Sequence, residues 1–247
     1  MQNQNGSPAI LVVVATYNEI ENLPKLVPAI LNELPSADIL VVDDNSPDGT
    51  GIWCDEYSSR EPRLHCLHRE EKLGLGTALV AALRYSLELD YDFVINMDAD
   101  FSHNPKYLQA VVLGMQHTNA PLDVMIGSRY VLGGGIEGWP AKRHFMSRGV
   151  NLYSRWLLSL KALDCSGGFR CYRTQLLRQI DWQQIQSAGY AFQEEFLWRL
   201  QSVGARIGEH PIVFVDRRRG QSKIDWKEAF QAVRIIGRLG IKNWFGV

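Results

Sequence analysis

Residues 93–105 read FVINMDADFSHNP, an apolar run that changes abruptly into acidic and polar residues. Its first four side chains are bulky or β-branched, which predicts a buried strand, and Pro105 prevents the strand from continuing. Two carboxylates, Asp98 and Asp100, therefore lie at the carboxyl end of a strand, where strand alternation would point both to one side. Hard oxygen ligands at this spacing suit one Mg²⁺ or Mn²⁺ ion. The same residues also suit a helix or turn cap, because Asp is common at such places.

The chain before this stretch alternates strands with helices. Apolar runs predict buried strands at 9–15, 38–42 and 64–68, and amphipathic spacing predicts helices at about 20–34, at 51–60 and after a glycine-rich turn at 72–77. This alternation is typical of an open parallel sheet, in which ligands bind beyond the carboxyl ends of the strands. We therefore expect one nucleotide site built from three loops, which contain residues 16–19, Asp43, Asp44, Asp98 and Asp100.

The second half of the chain continues the pattern less regularly. We predict a helix at 107–115, a strand at 123–126, a flexible glycine-rich loop at 131–140, a helix that ends at 160, a helix at 190–203 and a last strand at 207–215. From Trp226 onward, apolar residues recur at helical spacing and basic residues fall on another face. The sequence thus predicts a single α/β catalytic domain at 8–223, followed by an amphipathic helix at 224–247.

Composition limits the classes of function. The chain has 247 residues, 46% of them hydrophobic and 21% charged, and a formal net charge of -1. Without a basic excess it is not expected to bind nucleic acid. Its apolar runs are far shorter than the roughly 20 residues that a membrane-spanning helix needs, and no signal peptide is evident. Four cysteines without C-x-x-C spacing are typical of reduced thiols, so we expect a cytoplasmic protein.

Eight motifs follow one another along the chain. They are ATYNE (15–19), VDDNSPDGT (42–50), DADFSHNP (98–105), IGSRY (126–130), the Trp139/Arg143/Ser147 group, SGGFRCYR (166–173), FQEE (192–195) and RRRGQSK (217–223). In this order they resemble the family 2 glycosyltransferases of the GT-A fold, and within them the dolichol-phosphate or polyprenyl-phosphate mannose synthases. The resemblance covers nearly the whole chain. One departure is Ala15, which stands where the family usually has proline.

The resemblance implies a role for each matched position. Catalytic residues would be Asp100, Arg129 and Arg217. The metal, Mg²⁺ or Mn²⁺, would be held by Asp98, Asp100 and, directly or through water, Ser102. The acceptor phosphate would be held by Arg129, Arg143 and Ser147. The nucleotide sugar would be bound by Ala15, Tyr17, Glu19, Val42, Asp44, Asp98, Ala99, Asp100, Arg129, Arg217 and Lys223.

The implied reaction is the transfer of mannose from GDP-mannose to a dolichyl or polyprenyl phosphate. A phosphate monoester has a second pKa near 6, so the nucleophile is already an anion and needs no general base. The site must instead hold two anionic groups together, which calls for a metal on the diphosphate and arginines on the acceptor. Direct displacement would invert the anomeric carbon and give a β-linked mannosyl phosphate.

The lipid acceptor implies a protein that is peripheral on the cytoplasmic face of a membrane. The tail from Trp226 and the apolar face at 150–160 would lie in the lipid interface, unless both pack on the catalytic domain. Some family members borrow spanning helices from small membrane-anchoring subunits, and such subunits are expected as partners here if the chain needs them.

Other functions remain open from the residues alone. A related transferase could use UDP-glucose, or could glycosylate a polysaccharide hydroxyl, for which Asp164 or Glu195 is the candidate base. Glu194 and Glu195 otherwise suit a solvated helix face, although the family pattern favours a structural or sugar-orienting role for Glu195. A phosphatase is disfavoured because Ser46 stands where the motif D-x-D-G-T needs its nucleophile. A non-catalytic nucleotide-binding relative is a further alternative.

Overall fold

Two β-sheets organise the protein, which is represented by a computed structural model that describes residues 7–116, 121–189, 191–216 and 226–245. The strands in these segments are β1 (Ile10–Thr16), β2 (Asp38–Asp43), β3 (Leu64–His68), β4 (Phe93–Asp98), β5 (Val124–Ser128), β6 (Gly135–Glu137), β7 (Arg170–Arg173), β8 (Ile207–Pro211) and β9 (Val213–Val215). The larger sheet has seven strands in the order β3-β2-β1-β4-β7-β5-β8, and the smaller pairs β6 with β9.

Parallel pairing dominates the larger sheet. Only β7 runs antiparallel to its neighbours β4 and β5, while the other pairs are parallel. The helices are α1 (Leu23–Glu33), α2 (Thr50–Ser58), α3 (Leu75–Glu88), α4 (Leu108–Gln116), α5 (Ala141–Leu158), α6 (Thr174–Leu177), α7 (Phe192–Ser202) and α8 (Trp226–Phe245). The predicted α/β fold, with a mostly parallel sheet in one domain, is confirmed.

Apolar layers cover both faces of the sheet, as the continuous apolar runs predicted. Alternate residues of β1 illustrate the arrangement. Leu11 and Val13 join a core cluster with α3 and α7, whereas Val12 and Val14 join a second cluster with α1 and α4. Because both faces are buried, the apolar runs of β1, β2 and β4 give way to polar side chains at their carboxyl ends, at Thr16, Asp43 and Asp98.

Two expectations for the second half were wrong. The stretch 131–140 is not simply a loop, because it contains β6, and the predicted strand 207–215 is divided between the two sheets. Ile212 is the point of division. Its N–H donates to the Ser128 carbonyl oxygen of the larger sheet, and its own carbonyl oxygen accepts from the Gly135 N–H of the smaller one, both at 3.0 Å. Such long-range pairing leaves no periodic pattern in a glycine-rich stretch.

Helix α8 packs against α5. Gly240 lies so close to Leu157 that an added Cβ would meet its side chain at 3.0 Å, and the Trp244 indole N–H donates to the Leu157 carbonyl oxygen at 2.9 Å. Ile236 and Leu239 are buried, whereas Ile241 and Trp244 remain exposed. None of the helices in the described segments is long and apolar enough to cross a membrane.

Candidate active site

The register of three adjacent strands brings predicted nucleotide-binding residues into one row. Ala15 on β1 pairs with Val42 on β2 and, on its other side, with Asp98 on β4. These three positions lie at the carboxyl ends of parallel strands, where ligands bind in open α/β sheets. The structure therefore groups Ala15, Val42 and Asp98 as the sequence predicted.

Hydrogen bonds join the loop after β1 to the loop after β2. The Ile20 N–H donates to Asp48 Oδ2 at 3.1 Å, and the Glu19 N–H donates to Thr50 Oγ1 at 3.0 Å. The Thr50 hydroxyl in turn donates to Asp48 Oδ1 at 2.6 Å. Asp48 is thus a structural residue that fixes both loops.

Three further side chains predicted to bind the nucleotide, those of Tyr17, Glu19 and Asp44, lie in these loops. Lys72 Nζ is 4.1 Å from the centre of the Tyr17 ring, and Glu19 Oε2 accepts from Asn22 at 2.7 Å. Asp44 is buried and pairs with Arg69 at 2.9 Å. Burial raises the pKa of Asp44 above its usual value, although the nearby Arg69 charge opposes this shift.

The acidic turn of residues 98–102 follows β4. The strand ends at Asp98, and Phe101 has φ = 62°, a left-handed conformation that non-glycine residues rarely adopt. Asp100 Oδ1 accepts from the Ser102 N–H at 3.0 Å. The expectation that strand alternation aligns both carboxylates was therefore wrong in its reason, because a turn and not the strand sets the direction of Asp100. Strained backbone of this kind is common at functional sites.

His103 lies beneath the acidic turn. It is 2% exposed, its Nδ1 accepts from the Asp98 N–H at 3.1 Å, and its ring stacks on Phe169 with centroids 5.5 Å apart. His103 does not cap the short helix Pro105–Tyr107 that follows, because Asn104 does so by accepting from the Lys106 N–H. The imidazole therefore supports the turn from below.

The residues of the acidic turn fit a hard divalent cation. Asp98, Asp100 and Ser102 supply only oxygen atoms, which Mg²⁺ and Mn²⁺ prefer. The side chain of Asp98 is 40% exposed, and the Ser102 hydroxyl is buried without a hydrogen-bond partner in the described chain. Gly168 lies beside Asp98, and an added Cβ would be in van der Waals contact with Asp98 Oδ1 at 3.4 Å. The donor set and this orphaned hydroxyl both suit the predicted metal.

Arg129 forms a buried ion pair with Asp164. Its Nε and NH2 donate to the two carboxylate oxygens at 2.7 Å each, and NH2 also donates to Ser166 Oγ at 2.8 Å. Burial disfavours both charges, but the attraction of Arg129 outweighs it and holds the pKa of Asp164 below its usual value. Asp164 was not expected to anchor Arg129, since the two residues lie far apart in sequence.

The three predicted acceptor residues meet around two aromatic rings. The Arg143 guanidinium carbon lies 4.0 Å from the centre of the Trp139 ring, and that of Arg129 lies 5.7 Å from it. The Tyr130 hydroxyl donates to Ser147 Oγ at 2.8 Å, while Arg129 lies 5.3 Å from the Tyr130 ring centre. The structure thus brings Arg129, Arg143 and Ser147 into one group.

Arg143 also connects this group to the segment that follows β9. Its NH1 lies 2.8 Å from Asp216 Oδ1. The predicted phosphate-binding residues Arg217 and Lys223 lie outside the described residues. A cavity of about 450 Å³ opens beside Asp216 and the acidic turn, within the size range of ligand pockets.

Of the two alternatives for the glutamates on α7, the solvated helix face is excluded, because Glu194 and Glu195 are both buried. Glu195 pairs with Arg199 at 2.6 Å and accepts from the N–H and hydroxyl of Ser187 at 2.8 and 2.6 Å. Its carboxylate therefore has the structural role that the family pattern favoured. Because Asp164 and Glu195 each form an ion pair with an arginine, neither carboxylate is available as a general base.

Glu194 is a buried acid for which the sequence gave no role other than a solvated helix face. One of its carboxylate oxygens has no hydrogen-bond partner among the described residues, and burial raises the pKa of Glu194 to about 7. A protonated carboxyl avoids an uncompensated charge at such a position. The pattern FQEE gave no sign of this burial, since two adjacent acids usually mark a surface.

Comparison with known proteins agrees with the motifs. The family described as Glycosyl transferase family 2 matches residues 11–181. An undecaprenyl-phosphate mannosyltransferase from Micrococcus luteus is 41% identical over 239 residues, which cover 96% of this chain and 97% of that protein. A polyprenol monophosphomannose synthase from Mycolicibacterium smegmatis is 40% identical, with 94% of this chain and 87% of that protein covered.

Solved structures with low sequence identity share the fold. A glucosyl-3-phosphoglycerate synthase from Mycobacterium tuberculosis, in complex with Mn²⁺, UDP and glucosyl-3-phosphoglycerate, superposes with a TM-score of 0.65 at 17% identity, covering 98% of this chain and 81% of that one. A mannosyltransferase from Pyrobaculum calidifontis in complex with GDP-Man and Mn²⁺ gives 0.64 at 17% identity, covering 96% and 65%. Both neighbours support the fold.

Proposed function

This chain belongs to glycosyl transferase family 2, and from that premise we propose that it transfers mannose from GDP-mannose to a dolichyl or polyprenyl phosphate, with inversion at the anomeric carbon. The observation that supports this most is the meeting of an oxygen-rich acidic turn with a cluster of arginines and aromatic rings. The ring of Phe214 joins the two, because its centre lies 5.4 Å from that of the His103 ring beneath the turn and 5.7 Å from the guanidinium carbon of Arg129. Relatives of about 40% identity that are named for mannose transfer to polyprenyl phosphates agree with this acceptor.

On the donor side, the loops after β1 and β2 hold the nucleotide. Tyr17, Glu19 and Asp44 contact the guanine and ribose, and the backbone of Ala99 lies along the nucleotide. Asp98, Asp100 and Ser102 would hold Mg²⁺ or Mn²⁺, which when bound offsets the charge of the leaving diphosphate. Because hydrogen bonds already join the two loops, little ordering is needed when the donor binds.

On the acceptor side, Arg129 has one amino group left for phosphate. Asp164 and Ser166 use Nε and NH2, so Asp164 fixes the plane of the guanidinium and NH1 is directed to the acceptor. Arg143 is held by a partly exposed carboxylate, Asp216, and such pairs contribute little free energy. A phosphate dianion can therefore replace Asp216 on Arg143.

The acceptor itself supplies the nucleophile. Its phosphate is already ionised at neutral pH, so an oxygen attacks the anomeric carbon while the bond to the diphosphate breaks and GDP leaves. No described carboxylate is needed as a base, which agrees with the occupation of Asp164 and Glu195 by arginines. Arg217 and Lys223 are assigned to the leaving diphosphate on the motif alone.

The choice of donor can be tested by thermal unfolding with GDP-mannose, UDP-glucose or UDP-N-acetylglucosamine, each with and without Mn²⁺. A ligand at a hundred times its Kd stabilises the folded state by about 2.7 kcal/mol, which for a chain of this size raises Tm by about 5–10 °C. We expect this shift with GDP-mannose and Mn²⁺ together. A shift with a UDP sugar alone would show that the donor assignment is wrong.

We also propose that the enzyme is peripheral on a membrane, through an exposed apolar stripe on α5. The stripe consists of Phe145, Leu152 and Trp156, which lie seven and four residues apart and so share one face. These side chains are 81%, 68% and 67% exposed. Trp156 is also 6.4 Å from the ring of Trp244 on α8, which extends the apolar surface to the second helix.

Basic residues flank the stripe, as in helices that lie in a lipid interface. The exposed ones on α5 and α8 are Lys142, Arg148, Arg234, Arg238 and Lys242. Helix α8 therefore packs on the domain with one side and is exposed on the other. Packing on the catalytic domain and contact with the lipid interface do not exclude each other for this helix. The cytoplasmic side and any small membrane-anchoring subunits remain proposals.

The double variant Phe145→Ser, Trp156→Ser is expected to bind lipid vesicles about tenfold or more weakly, because each lost side chain removes about 1.5–3 kcal/mol of apolar burial. Co-sedimentation with vesicles measures the change. Ile52→Ser is the control, since Ile52 on α2 is 67% exposed but lies away from the stripe. Equal binding by the double variant and the control would show that the α5 stripe does not contact the membrane.

A further inference from the structure

A small cleft beside α5 is lined by two arginines that the proposed mechanism does not use. Arg148 and Arg155 lie seven residues apart on α5 and hence on one face of the helix. The cleft has a volume of about 140 Å³, and its lining residues are Tyr130, Arg148, Asn151, Leu152, Arg155 and Leu163. At about 30 Å³ for each liquid water, the cleft has room for a group of phosphate size.

Neither guanidinium has a partner within the described segments. The arginine ion pairs in these segments all involve other arginines, and Arg155 Nε is buried without a hydrogen bond to any described residue. A buried donor without a partner is destabilising and is rare in folded proteins. An anion in the cleft would satisfy this donor and both positive charges.

Two side chains connect the cleft to the proposed acceptor group. Tyr130 lines the cleft, and its hydroxyl donates to Ser147 Oγ at 2.8 Å. Asn151 also lines it and donates to Ser166 Oγ at 3.0 Å, the same oxygen that accepts from Arg129 at 2.8 Å. The cleft is therefore one side chain away from the residues that would hold the acceptor phosphate.

The opposite side of the cleft borders the membrane stripe. Leu152 belongs to both, because it lines the cleft and is 68% exposed on the outer face of α5. Leu163 adds a second apolar wall. A ligand that reaches the cleft from this side would carry an anionic head and an apolar chain.

We infer that Arg148 and Arg155 form a second lipid-phosphate site, which binds the head group of the polyprenyl phosphate as it leaves the bilayer and before it reaches Arg129, Arg143 and Ser147. This inference rests on the proposed acceptor. Two guanidinium groups suit a phosphate monoester, which carries nearly two charges at neutral pH. Leu152 and Leu163 would contact the first part of the prenyl chain.

Vesicle binding of the full chain tests the site. The double variant Arg148→Gln, Arg155→Gln is compared with the parent on vesicles of phosphatidylcholine alone, with added polyprenyl phosphate, or with phosphatidylglycerol at equal surface charge. Arg60→Gln, Arg84→Gln removes the same charge from two exposed arginines elsewhere and serves as the control. Since a hydrogen bond to a charged group contributes about 1.5–3 kcal/mol, we expect a loss of about tenfold or more on polyprenyl phosphate vesicles and about threefold or less on the others.

Steady-state kinetics give an independent readout. The double variant should have a higher KM for polyprenyl phosphate and an unchanged KM for the sugar nucleotide. The variant Arg148→Lys, Arg155→Lys should recover part of the affinity for polyprenyl phosphate because charge is retained. Unchanged lipid binding, or an equal loss on phosphatidylglycerol, would overturn the site. If the double variant unfolds, Arg148→Gln alone carries the test, because Arg148 is exposed.

The two proposals fail in different ways. A parent protein that binds polyprenyl phosphate vesicles through Arg148 and Arg155 but transfers no mannose would contradict the proposed function and leave the lipid-phosphate site in place. A parent that transfers mannose, with a double variant that behaves like the control in every arm, would contradict the site alone.

Discussion

Replacement of Asp98 by Asn is expected to lower kcat/KM for mannosyl transfer by about a thousandfold, which corresponds to about 4 kcal/mol of transition-state stabilisation. Asn has nearly the same shape but a weaker ligand oxygen and no charge, so the metal on the diphosphate would be lost. Folding should be little affected. The structural hydrogen bond of Asp98 uses its backbone N–H, which donates to His103, and its side chain is 40% exposed.

Initial rates at a series of Mn²⁺ and Mg²⁺ concentrations, together with Tm, measure this effect. Asp90→Asn is the matched control, because the side chain of Asp90 is 79% exposed and lies outside the proposed site. Asp100→Asn should be equally inactive. Asp100 also accepts a hydrogen bond from the Ser102 N–H, so this substitution affects the conformation of the turn as well as its charge. Full activity of either variant at limiting metal would show that the assigned metal site is wrong.

Replacement of Asp164 by Asn is expected to destabilise the protein by about 3–5 kcal/mol, because it leaves the buried charge of Arg129 without its partner. For a chain of this length the loss lowers Tm by about 6–20 °C. Asp164 is fully buried, and Arg129 is 8% exposed. Transfer activity should fall too, since Asp164 fixes the plane of the guanidinium that is assigned to the acceptor phosphate.

Glu61→Gln provides a closely matched control. Arg63 donates to Glu61 through Nε and NH2 at 2.7 Å each, the same two-point geometry that joins Arg129 to Asp164, but the Arg63 side chain is 36% exposed. A solvent-exposed pair contributes at most about 1 kcal/mol. Urea unfolding of both variants compares the two environments, and equal losses would show that burial does not govern the Arg129–Asp164 pair.

The pH dependence of this difference has a definite sign. Because the pKa of Asp164 is lower in the folded protein than its usual value, its contribution is present above the unfolded pKa of about 3.9. It is lost as the pH falls through the folded value. The stability gap between parent and Asp164→Asn should therefore persist at neutral pH and close only in acid, which unfolding curves at several pH values would show.

Local sequence patterns were sufficient for strands β1 to β4 and for the position of the acidic residues that follow β4. The apolar runs that end in Asp43 and Asp98 matched β2 and β4, because a strand buried on both faces must be apolar along its length. Parallel strands have their carboxyl ends at one edge of the sheet, so the grouping of Ala15, Val42 and Asp98 could also be predicted from the sequence. Periodicity reports only on neighbours within a few residues, and these features depend on such neighbours.

The pairing of charged residues could not be predicted from the sequence in this way. Arg129 and Asp164 are 35 residues apart, and Glu194 is buried although its motif has the composition of a surface. The same holds for β6, whose partner β9 is distant in the chain. In each case the contact joins segments that are far apart in the sequence, and such contacts produce no local sequence pattern.

Residue types at short spacing were enough to place the strands and helices of the first half of the chain and the acidic residues after β4, and to identify the family. Only the tertiary structure decided that Asp164 holds Arg129, that Glu195 is structural, and that Arg148 and Arg155 share an unpartnered cleft. The physical reason is that burial and charge compensation depend on which surfaces the whole chain brings together.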